Sequence, residues 1–406
     1  MERSEWKVRR VLLLTAFEYP HIGGLSTHMA VLGTALELQG NVVDYGSVLN
    51  YPRWFYYLVV KIPSFLLNKA ARGWGLVWSH QARKLLIKGL LFVRRAGSRY
   101  DVINAQDIFA VNAVGDYDKH DRLPVVLTVH GYFRYETMSV GSLCENTGPE
   151  RYFIKEEEHA LDRADRIVAV EKGRQRYLLG LGVPDWKVSV ITNFIDPAAF
   201  GGGRGKDKLL ADWNLEDGRY VILCPCRMAR VKGVDVALNA MSKVAERRPE
   251  SLMLFAGDGE LKGELERESL RQGLQNNVRF LGNVAHAKMV ELYSLADLVI
   301  IPSISDAKAE EGVSLAALEA MASGKPLITT PVGGFKDLIR HGENGYLVPE
   351  RDPEGLAEGI LALAKDSKCT RALGKRERDY VLENHDACSA AIHFEQLYAE
   401  AVAAHT

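Results

Sequence analysis

The chain has 406 residues, with 51 Lys and Arg against 52 Asp and Glu, so its formal net charge is −1. This length allows two domains of about 150–200 residues each, and the balanced charge gives no sign of a nucleic-acid-binding protein. The apolar fraction, 47%, is that of an ordinary globular protein.

Short apolar runs alternate with helix-spaced segments along the chain. In the first half, the apolar runs predict strands at about 8–16, 42–48, 101–105, 124–129, 166–170 and 187–192. In the second half, they predict strands at about 220–224, 252–256, 278–281, 297–301, 326–329 and 345–348. Segments such as 26–39, 234–247, 286–295 and 313–323 have the 3.6-residue spacing of helices. Two such series predict an α/β protein with two doubly wound domains, each built on a parallel sheet.

The boundary between these domains is expected at Asp196-Pro197, just before the glycine-rich run Phe200–Gly205. We therefore assign residues 1–196 to an N-terminal domain and residues 197–383 to a C-terminal domain. The remaining residues, about 384–406, contain one more predicted helix.

Cysteine usage and the apolar runs favour a cytoplasmic protein. The five cysteines include no C-x-x-C pair, and Cys224 and Cys226 lie at a predicted core strand, so we expect buried thiols. The apolar run that starts at Val11 lacks the length and the cleavage site of a signal peptide. The run from Trp54 to Val60 is too short to span a bilayer.

The most informative segment is Glu311-Gly-Val-Ser-Leu-Ala-Ala-Leu-Glu319, where a loop leads into a predicted helix. The residues at this helix start are Gly312, Val313, Ser314 and Leu315. Their free N–H groups form an anion site that suits the diphosphate of a nucleotide sugar. One carboxylate can then accept hydrogen bonds from sugar hydroxyls and the other from ribose hydroxyls. Taken alone, the two glutamates could equally be solvated helix residues.

A second motif, Cys226-Arg-Met-Ala-Arg-Val-Lys-Gly233, directly follows the predicted strand at 220–224. The carboxyl end of a strand is where an open α/β sheet presents side chains to a ligand. Arg227 and Lys232 could therefore stabilise a leaving diphosphate without a metal. On its own, this pair could also be two solvated loop cations.

The ordered set of motifs resembles the retaining GT-B glycosyltransferases of family GT4. The motifs in the first half are Gly23-Gly24 with His28, Thr128-Val-His130 and Val190-Ile-Thr-Asn193-Phe-Ile-Asp196. Those in the second half are Arg227-x4-Lys232-Gly233, Ala256-Gly-Asp-Gly259, Phe280-Leu-Gly-Asn-Val284, Ala296-Asp-Leu-Val-Ile-Ile-Pro-Ser303, Glu311-x7-Glu319 and Pro331-Val-Gly-Gly334. The resemblance implies a donor-binding C-terminal domain, an acceptor-binding N-terminal domain facing it across a cleft, and a last helix, about 387–403, that packs on the first domain.

The resemblance also implies a role for each matching residue. His130, Arg227, Lys232 and Glu311 would be catalytic, with His130 beside the donor sugar and its carbonyl facing the developing oxocarbenium ion. Gly23, Gly24, Asn283, Val284, Gly312, Val313, Ser314, Leu315 and Glu319 would bind the donor. His28 would lie on the acceptor side.

No metal or other cofactor is expected. Asp116-Tyr-Asp118 has the spacing of a metal-binding D-x-D motif, but it lies in a polar stretch typical of a solvated helix end. In the resemblance, Arg227 and Lys232 take the role that a divalent cation fills in other glycosyltransferases.

The segment between Tyr45 and Tyr100 contains ten cations and no Asp or Glu. The cations are Arg53, Lys61, Lys69, Arg72, Arg83, Lys84, Lys88, Arg94, Arg95 and Arg99. Aromatic residues, among them Trp54, Phe65 and Trp78, lie between them. We expect this segment, with Arg83, Lys84 and Lys88, to contact an anionic membrane surface. The alternative is an ordinary core with solvated cations.

Together these observations predict a retaining glycosyltransferase. It would move a sugar from a UDP- or GDP-sugar to a hydroxyl acceptor that is lipid-linked or part of a glycolipid or polysaccharide precursor. The protein would be peripheral on the cytoplasmic face of the membrane. Two alternatives remain at this point: a GT-B sugar-nucleotide epimerase and a catalytically silent, membrane-attached binding protein.

Overall fold

The computed structural model describes residues 8–405 except 22, 119–122, 140, 201–204 and 306–313. The chain divides into two compact units. The first unit contains Met1–Thr192 together with Ala387–Thr406, and the second contains Asn193–Asp386. These divisions lie within four residues of the expected boundaries at 196/197 and 383/384.

The first unit is built on a parallel sheet. Among the described residues its strands are β1 (Arg10–Leu14), β2 (Val42–Gly46), β3 (Val102–Ala105), β4 (Val125–Val129), β5 (Arg166–Ala169) and β6 (Val188–Val190). They lie in the order β2-β1-β3-β4-β5-β6, and each neighbouring pair is parallel. All residues of β4 are buried, as expected for a strand covered on both faces. The strand order reverses between β1 and β3, so the loops after these strands diverge there.

Helices cover this sheet and extend beyond it. They are α1 (Gly24–Leu38), α2 (Arg53–Tyr56), α3 (Ile62–Ala70), α4 (Trp74–Val93), α5 (Ala96–Arg99), α6 (Ile108–Tyr117), α7 (Phe133–Ser139), α8 (Gly148–Arg163) and α9 (Lys172–Gly180). A π-helical turn, Tyr57–Lys61, joins α2 to α3. Short 3-10 turns lie at Val48–Asn50 and Asp185–Lys187.

The second unit repeats this architecture. Its described strands are β7 (Tyr220–Pro225), β8 (Ser251–Ala256), β9 (Val278–Gly282), β10 (Leu298–Ile301), β11 (Leu327–Thr329) and β12 (Tyr346–Leu347). They lie in the order β12-β11-β10-β7-β8-β9, again with parallel neighbours. The order reverses between β7 and β10, which makes that point the expected ligand crevice of this sheet.

The helices of the second unit are α10 (Lys206–Asp212), α11 (Val234–Arg247), α12 (Lys262–Arg271), α13 (His286–Leu295), α14 (Leu315–Ala322), α15 (Phe335–Leu338), α16 (Pro353–Lys365) and α17 (Ser367–Asn384). Short 3-10 turns lie at Pro197–Phe200 and Arg230–Lys232. In α11 the buried residues include Val234, Ala237, Leu238 and Met241, which is the helical spacing that the sequence predicts for 234–247.

The last helix, α18 (Ala387–Ala403), belongs to the first unit. Phe394 and Tyr398 on this helix are fully buried. Asn41, which precedes β2, donates a hydrogen bond from its side-chain amide to the Glu395 carboxylate. Apolar burial and polar contacts therefore both hold α18 to the first sheet and its helices.

Each predicted strand has a counterpart in the structure, so the prediction of two doubly wound α/β domains is confirmed. The shared reason is that a parallel strand covered on both faces reads as a short, nearly continuous apolar run. None of the helices in the described part of the chain is both long enough and apolar enough to cross a membrane.

Candidate active site

In the second unit, the predicted cations lie in the loop that follows the central strand β7. Arg227 is exposed, and Lys232 is half-buried at the end of the 3-10 turn. Because the strand order reverses between β7 and β10, this loop borders the crevice where open α/β sheets bind ligands. The structure therefore brings both cations to the predicted edge of the sheet.

Backbone hydrogen bonds hold this loop in place from both sides. Met228 N donates to Asp258 O (2.9 Å) in the loop after β8. On the other side, Ile304 N donates to Val231 O (2.9 Å) from the loop after β10. The cation-bearing loop is thus fixed by backbone groups that do not depend on its own side chains.

Gly233 ends the loop and begins α11. Its φ is +62°, and a Cβ atom there would lie 1.9 Å from Pro302 O. Both the left-handed conformation and this close approach require glycine. In the motif Lys232-Gly233, the glycine is therefore required for steric reasons, while the lysine supplies the charge.

Glu319, the predicted ribose ligand, lies within α14 and is 7% exposed. His286 Nδ1 is 3.6 Å from its Oε1. The Tyr293 hydroxyl lies within reach of both Glu319 and Ala316 O (3.1 Å), so its single hydrogen serves one of them at a time. Burial raises the pKa of Glu319 to about 7, and the Tyr293 hydroxyl lowers it in part. A carboxylate with so few protein donors keeps acceptor capacity for ligand hydroxyls.

The structure describes four other predicted donor contacts of the second unit. Asn283 is exposed and Val284 is half-buried, and both lie in the loop after β9. Ser314 is the N-cap of α14 without a side-chain capping bond, and Leu315 is its first residue. Glu311, Gly312 and Val313 lie outside the described residues, so their roles stay predictions.

In the first unit, Gly23 and Gly24 begin α1 directly after the loop that follows β1. His28, one turn further along α1, is 1% exposed. Its ring packs edge-on against His130, with ring centroids 4.6 Å apart. The structure therefore places His28 in the interior beside His130, and not at a membrane surface.

A chain of buried polar side chains runs from His130 to the last helix. Gln106 Nε2 donates to Asn104 Oδ1, which also accepts from Thr128 Oγ1 (3.1 Å). Asn104 Nδ2 donates in turn to the Tyr398 hydroxyl oxygen (2.8 Å). Since Gln106 uses its nitrogen on Asn104, its Oε1 accepts from His130 Nε2 (2.9 Å). His130 is thus held with its hydrogen on Nε2, which leaves Nδ1 as a hydrogen-bond acceptor.

Arg174 on α9 is a site residue that the sequence analysis missed. Its Nε donates to the backbone carbonyl of His130 (2.8 Å), and its guanidinium pairs with Glu171 and lies 4.5 Å from the centroid of the Tyr132 ring. No local signal identifies it, because Arg174 lies 44 residues from His130 and looks like an ordinary helix cation.

His130 is held in its neutral form. Burial lowers its pKa well below the ordinary value, and the neighbouring His28 and Arg174 lower it further. A neutral ring with a fixed tautomer can accept a hydrogen bond from a sugar hydroxyl, but it holds no proton on Nδ1 to donate.

His130 and Gln106 also line a cavity of about 170 Å³. The cavity lies beyond the carboxyl ends of β1, β3 and β4, and its apolar wall includes Phe17, Phe109 and Phe133. This position, at the strand-order reversal of the first sheet, is where an α/β domain binds a ligand.

The predicted membrane cations Arg83 and Lys84 are engaged within the first unit. Arg83 Nη2 donates to the Tyr56 hydroxyl (3.0 Å). Lys84 Nζ lies 3.3 Å from Asp116 Oδ2 and 3.5 Å from Glu156 Oε2. Acids distant in sequence therefore neutralise part of this segment, and the contact of Arg83 and Lys84 with a membrane stays a prediction. Lys88 is exposed.

Apolar side chains, in contrast, are exposed along α2, the π-helical turn and α3. They are Trp54, Tyr57, Leu58, Ile62, Phe65 and Leu66, each at least 50% exposed. No residue of α3 is buried among those described. Polar contacts hold α3 against α4, since Ser64 Oγ donates to Gly75 O (2.8 Å). We call these six residues the apolar face of α2–α3.

Comparison with known families covers most of the chain. The family described as glycosyltransferase family 4 matches residues 22–199. The family described as glycosyl transferases group 1 matches residues 205–380. This chain belongs to the GT4-type glycosyltransferases. It is therefore a transferase, in agreement with the sequence prediction.

Relatives and solved structures agree with this assignment. An uncharacterized glycosyltransferase of Methanocaldococcus jannaschii is 28% identical over 371 residues, which cover 87% of this chain and 89% of the relative. Glycogen synthase of Mycobacterium tuberculosis is 24% identical over 412 residues, with 95% and 94% covered.

Two solved structures show the fold of this glycosyltransferase. The structure of HepE from Anabaena in complex with UDP-glucose has a TM-score of 0.68 at 20% identity and covers 98% of this chain and 100% of its own. Sucrose-phosphate synthase from Thermosynechococcus elongatus has a TM-score of 0.72 at 20% identity, with the same two shares covered. The predicted GT-B fold is thereby confirmed.

Proposed function

We propose that this glycosyltransferase moves a sugar from a UDP- or GDP-sugar to a hydroxyl acceptor with retention of anomeric configuration. The observation that carries the proposal is the pair Arg227 and Lys232 in a backbone-fixed loop at the strand-order reversal of the second sheet. Glu319 in the same unit adds a buried carboxylate with acceptor capacity for ribose. The complex of HepE with UDP-glucose supports a nucleotide-sugar donor for a protein of this fold.

In the proposed reaction, the bond between the anomeric carbon and the diphosphate oxygen breaks while the acceptor oxygen attacks the same face. The acceptor proton passes to the leaving phosphate oxygen, so no protein base is needed. Arg227 and Lys232 stabilise the negative charge that grows on the diphosphate. His130 Nδ1 accepts a hydrogen bond from a donor-sugar hydroxyl. Metal independence remains a prediction.

The direct test is product analysis of the purified protein with UDP-, GDP- and ADP-sugars, with and without a lipid extract. We expect a glycosylated product from a UDP- or GDP-sugar, undiminished by EDTA. Conversion of the sugar nucleotide with no acceptor would instead indicate the epimerase alternative. NMR of the product's anomeric signal checks retention.

We further propose a lipid-linked acceptor and a peripheral location on the cytoplasmic face of an anionic membrane. The main support for this proposal is the apolar face of α2–α3. Arg83 and Lys84 give less support, because their side chains bind Tyr56 and Asp116 within the first unit. A face of six exposed apolar side chains beside exposed cations is typical of interfacial helices.

The membrane proposal is tested by sedimentation with vesicles of phosphatidylglycerol. Changing both Trp54→Ser and Phe65→Ser should weaken binding at least about tenfold, since a fully buried large apolar side chain contributes about 1.5–3 kcal/mol. The matched control is Phe92→Ser with Val93→Ser, two exposed residues at the end of α4. Wild-type protein that stays in the supernatant at low salt would contradict the proposal and favour a soluble acceptor.

A further inference from the structure

Most of the ten cations between Tyr45 and Tyr100 have partners in the first unit. The contacts are Lys61 with Glu18 (2.9 Å), Lys69 with the Phe65 ring (4.7 Å), Arg72 with Gly141 O, Arg94 with Tyr100 (3.5 Å) and Arg99 with Asp44 (3.0 Å), besides those of Arg83 and Lys84 given above. Arg53 and Lys88 have neither an ion pair nor a hydrogen bond from their side chains to any described residue.

Arg53 lies at a cavity of about 370 Å³ in the first unit. The cavity lies beyond the carboxyl ends of β1 and β2. It shares no lining residue with the cavity at His130. Its walls are Tyr19, Pro20, Tyr45, Ser47, Leu49, Asn50 and Arg53. We call it the Arg53 cavity.

The polar groups of the Arg53 cavity are mainly donors. Asn50 Oδ1 accepts from Ser47 N (2.7 Å), so the side-chain amide is fixed, and its Nδ2 has no hydrogen-bond partner among the described residues. Tyr19 and Tyr45 stack with ring centroids 5.1 Å apart, and their hydroxyls share a hydrogen bond. Burial raises the pKa of both tyrosines, so these hydroxyls stay protonated.

The carboxylates of the surrounding elements leave the charge of Arg53 in place. Glu18 pairs with Lys61 (2.9 Å), and Asp44 pairs with Arg99 (3.0 Å). Glu37 on α1 is exposed and forms no ion pair with Arg53, although its negative charge acts on Tyr19 and Tyr45 and helps to raise their pKa values. A cavity with an uncompensated arginine and fixed neutral donors is suited to an anion.

We propose that the Arg53 cavity binds the phosphate of a phosphorylated acceptor. A guanidinium binds phosphate through two parallel N–H···O bonds, and the Asn50 amide and a tyrosine hydroxyl can supply further donors. The inference deepens the proposed function, on which it rests, because it names the acceptor as a phosphomonoester or phosphodiester that carries a hydroxyl group. The phosphate can belong to a soluble compound or to a lipid head group.

The Arg53 cavity adjoins the apolar face of α2–α3 in the chain. Arg53 is the first residue of α2, and the next residue, Trp54, is 68% exposed. If the acceptor is a lipid, its phosphate would lie in the Arg53 cavity. The exposed apolar side chains that begin at the next residue, Trp54, could then contact its hydrocarbon part.

The test follows backbone amide NMR signals of Ser47–Arg53 in the full protein during titration with inorganic phosphate and glycerol 1-phosphate. Saturating UDP is present, so that phosphate does not report on Arg227 and Lys232. Both compounds should shift these signals in a saturable way. Arg53→Gln should raise the dissociation constant at least tenfold.

Lys88→Gln is the matched control, because it also removes one unpaired cation from the same acid-free segment but lies outside the cavity. It should change the dissociation constant less than twofold. Phosphate that leaves the Ser47–Arg53 signals unchanged, or equal weakening by both variants, would overturn the proposal.

Vesicles distinguish the two sources of phosphate. If the acceptor is a lipid, Arg53→Gln should lose more affinity than Lys88→Gln for phosphatidylglycerol vesicles, and neither change should matter on phosphatidylcholine. If the acceptor is soluble, the two variants should lose the same small affinity for vesicles, while glycerol 1-phosphate still separates them. UDP binding is measured in parallel, because it reports on the second unit. Absence of UDP binding would challenge the proposed function, whereas absence of phosphate binding would challenge the Arg53 cavity.

Discussion

The histidine of the first unit and the cations of the second are positioned by opposite means. His130 is oriented by side chains, through Gln106 and Asn104 to Tyr398. The loop that carries Arg227 is instead held by backbone hydrogen bonds to the loops after β8 and β10. A site built from side chains is sensitive to substitution of its supports, whereas a site built from backbone tolerates changes around it and depends on the acting residues themselves.

The largest effect is expected at the cations. Arg227→Ala or Lys232→Ala should lower turnover by about two or more orders of magnitude, because each removes a charge partner of the transition state. Turnover is measured with the sugar nucleotide found in the product screen. Arg230→Ala, an exposed neighbour in the same turn, is the control and should leave turnover within about twofold. Near-normal turnover of Arg227→Ala would refute the assigned role.

The next effect concerns Glu319. If it binds ribose, Glu319→Gln should weaken the free nucleoside diphosphate by about 1.5–3 kcal/mol, as for a hydrogen bond to a charged group. Calorimetric titration measures this directly. Glu311→Gln should depress turnover and leave this affinity nearly unchanged, so equal weakening in both variants would contradict the division of roles.

The raised pKa of Glu319 sharpens the same test. Near pH 7 the carboxyl group is about half protonated in the free protein, and its ionised form is the better acceptor. Affinity for the diphosphate should therefore rise between about pH 6 and pH 8, more in the wild type than in Glu319→Gln. Comparing the two proteins cancels the titration of the phosphate; His286, which lies 3.6 Å from Glu319, is followed separately by NMR of its imidazole in both proteins. Parallel pH profiles would contradict this role.

The pH dependence expected for fold stability is opposite to that expected for ligand affinity. The folded pKa of Glu319 lies above its ordinary value of 4.5, so its contribution to stability is full below that value. The contribution is lost as the pH rises through about 7, because the ionised carboxylate is buried. If Glu319 binds ribose, ligand binding favours its ionised form, whereas fold stability favours its protonated form.

The smallest effect tests the side-chain network. Gln106→Glu places a carboxylate at His130 Nε2 and should raise the pKa of the ring, so that it titrates between about pH 5 and pH 8. NMR of the labelled imidazole measures both its charge and its tautomer. Tyr398→Phe is the control: it should cost about 1–3 kcal/mol of folding free energy by leaving Asn104 Nδ2 unpaired, while His130 keeps its hydrogen on Nε2. Titration unchanged by Gln106→Glu would show that the network does not set the state of His130.

Sequence alone predicted the parts of the molecule that depend on local patterns. Apolar runs located the strands, and strand ends located His130, Arg227 and Lys232. Glu319 was identified by its spacing of eight residues from Glu311, across the start of a predicted helix. These features depend on residues a few positions apart, where spacing carries the information.

Contacts that form between distant segments could not be predicted in this way. Arg174 reaches the His130 carbonyl from another helix, and Tyr398 reaches Asn104 from 294 residues further along the chain. The same limit applies to Lys84, whose ion pairs with Asp116 and Glu156 could not be read from its own segment. A count of charges within a segment does not include acids that the fold brings to it.

The place of α18 in the chain has a consequence for synthesis. The first unit includes Ala387–Thr406, which the ribosome makes after the whole of the second unit. Until that helix emerges, the sheet that carries His130 lacks Tyr398 and the fully buried Phe394. The second unit is continuous in sequence and can fold earlier, during elongation. Nascent chains would thus acquire the second unit first, and the histidine would gain its final support only after α18 has been made.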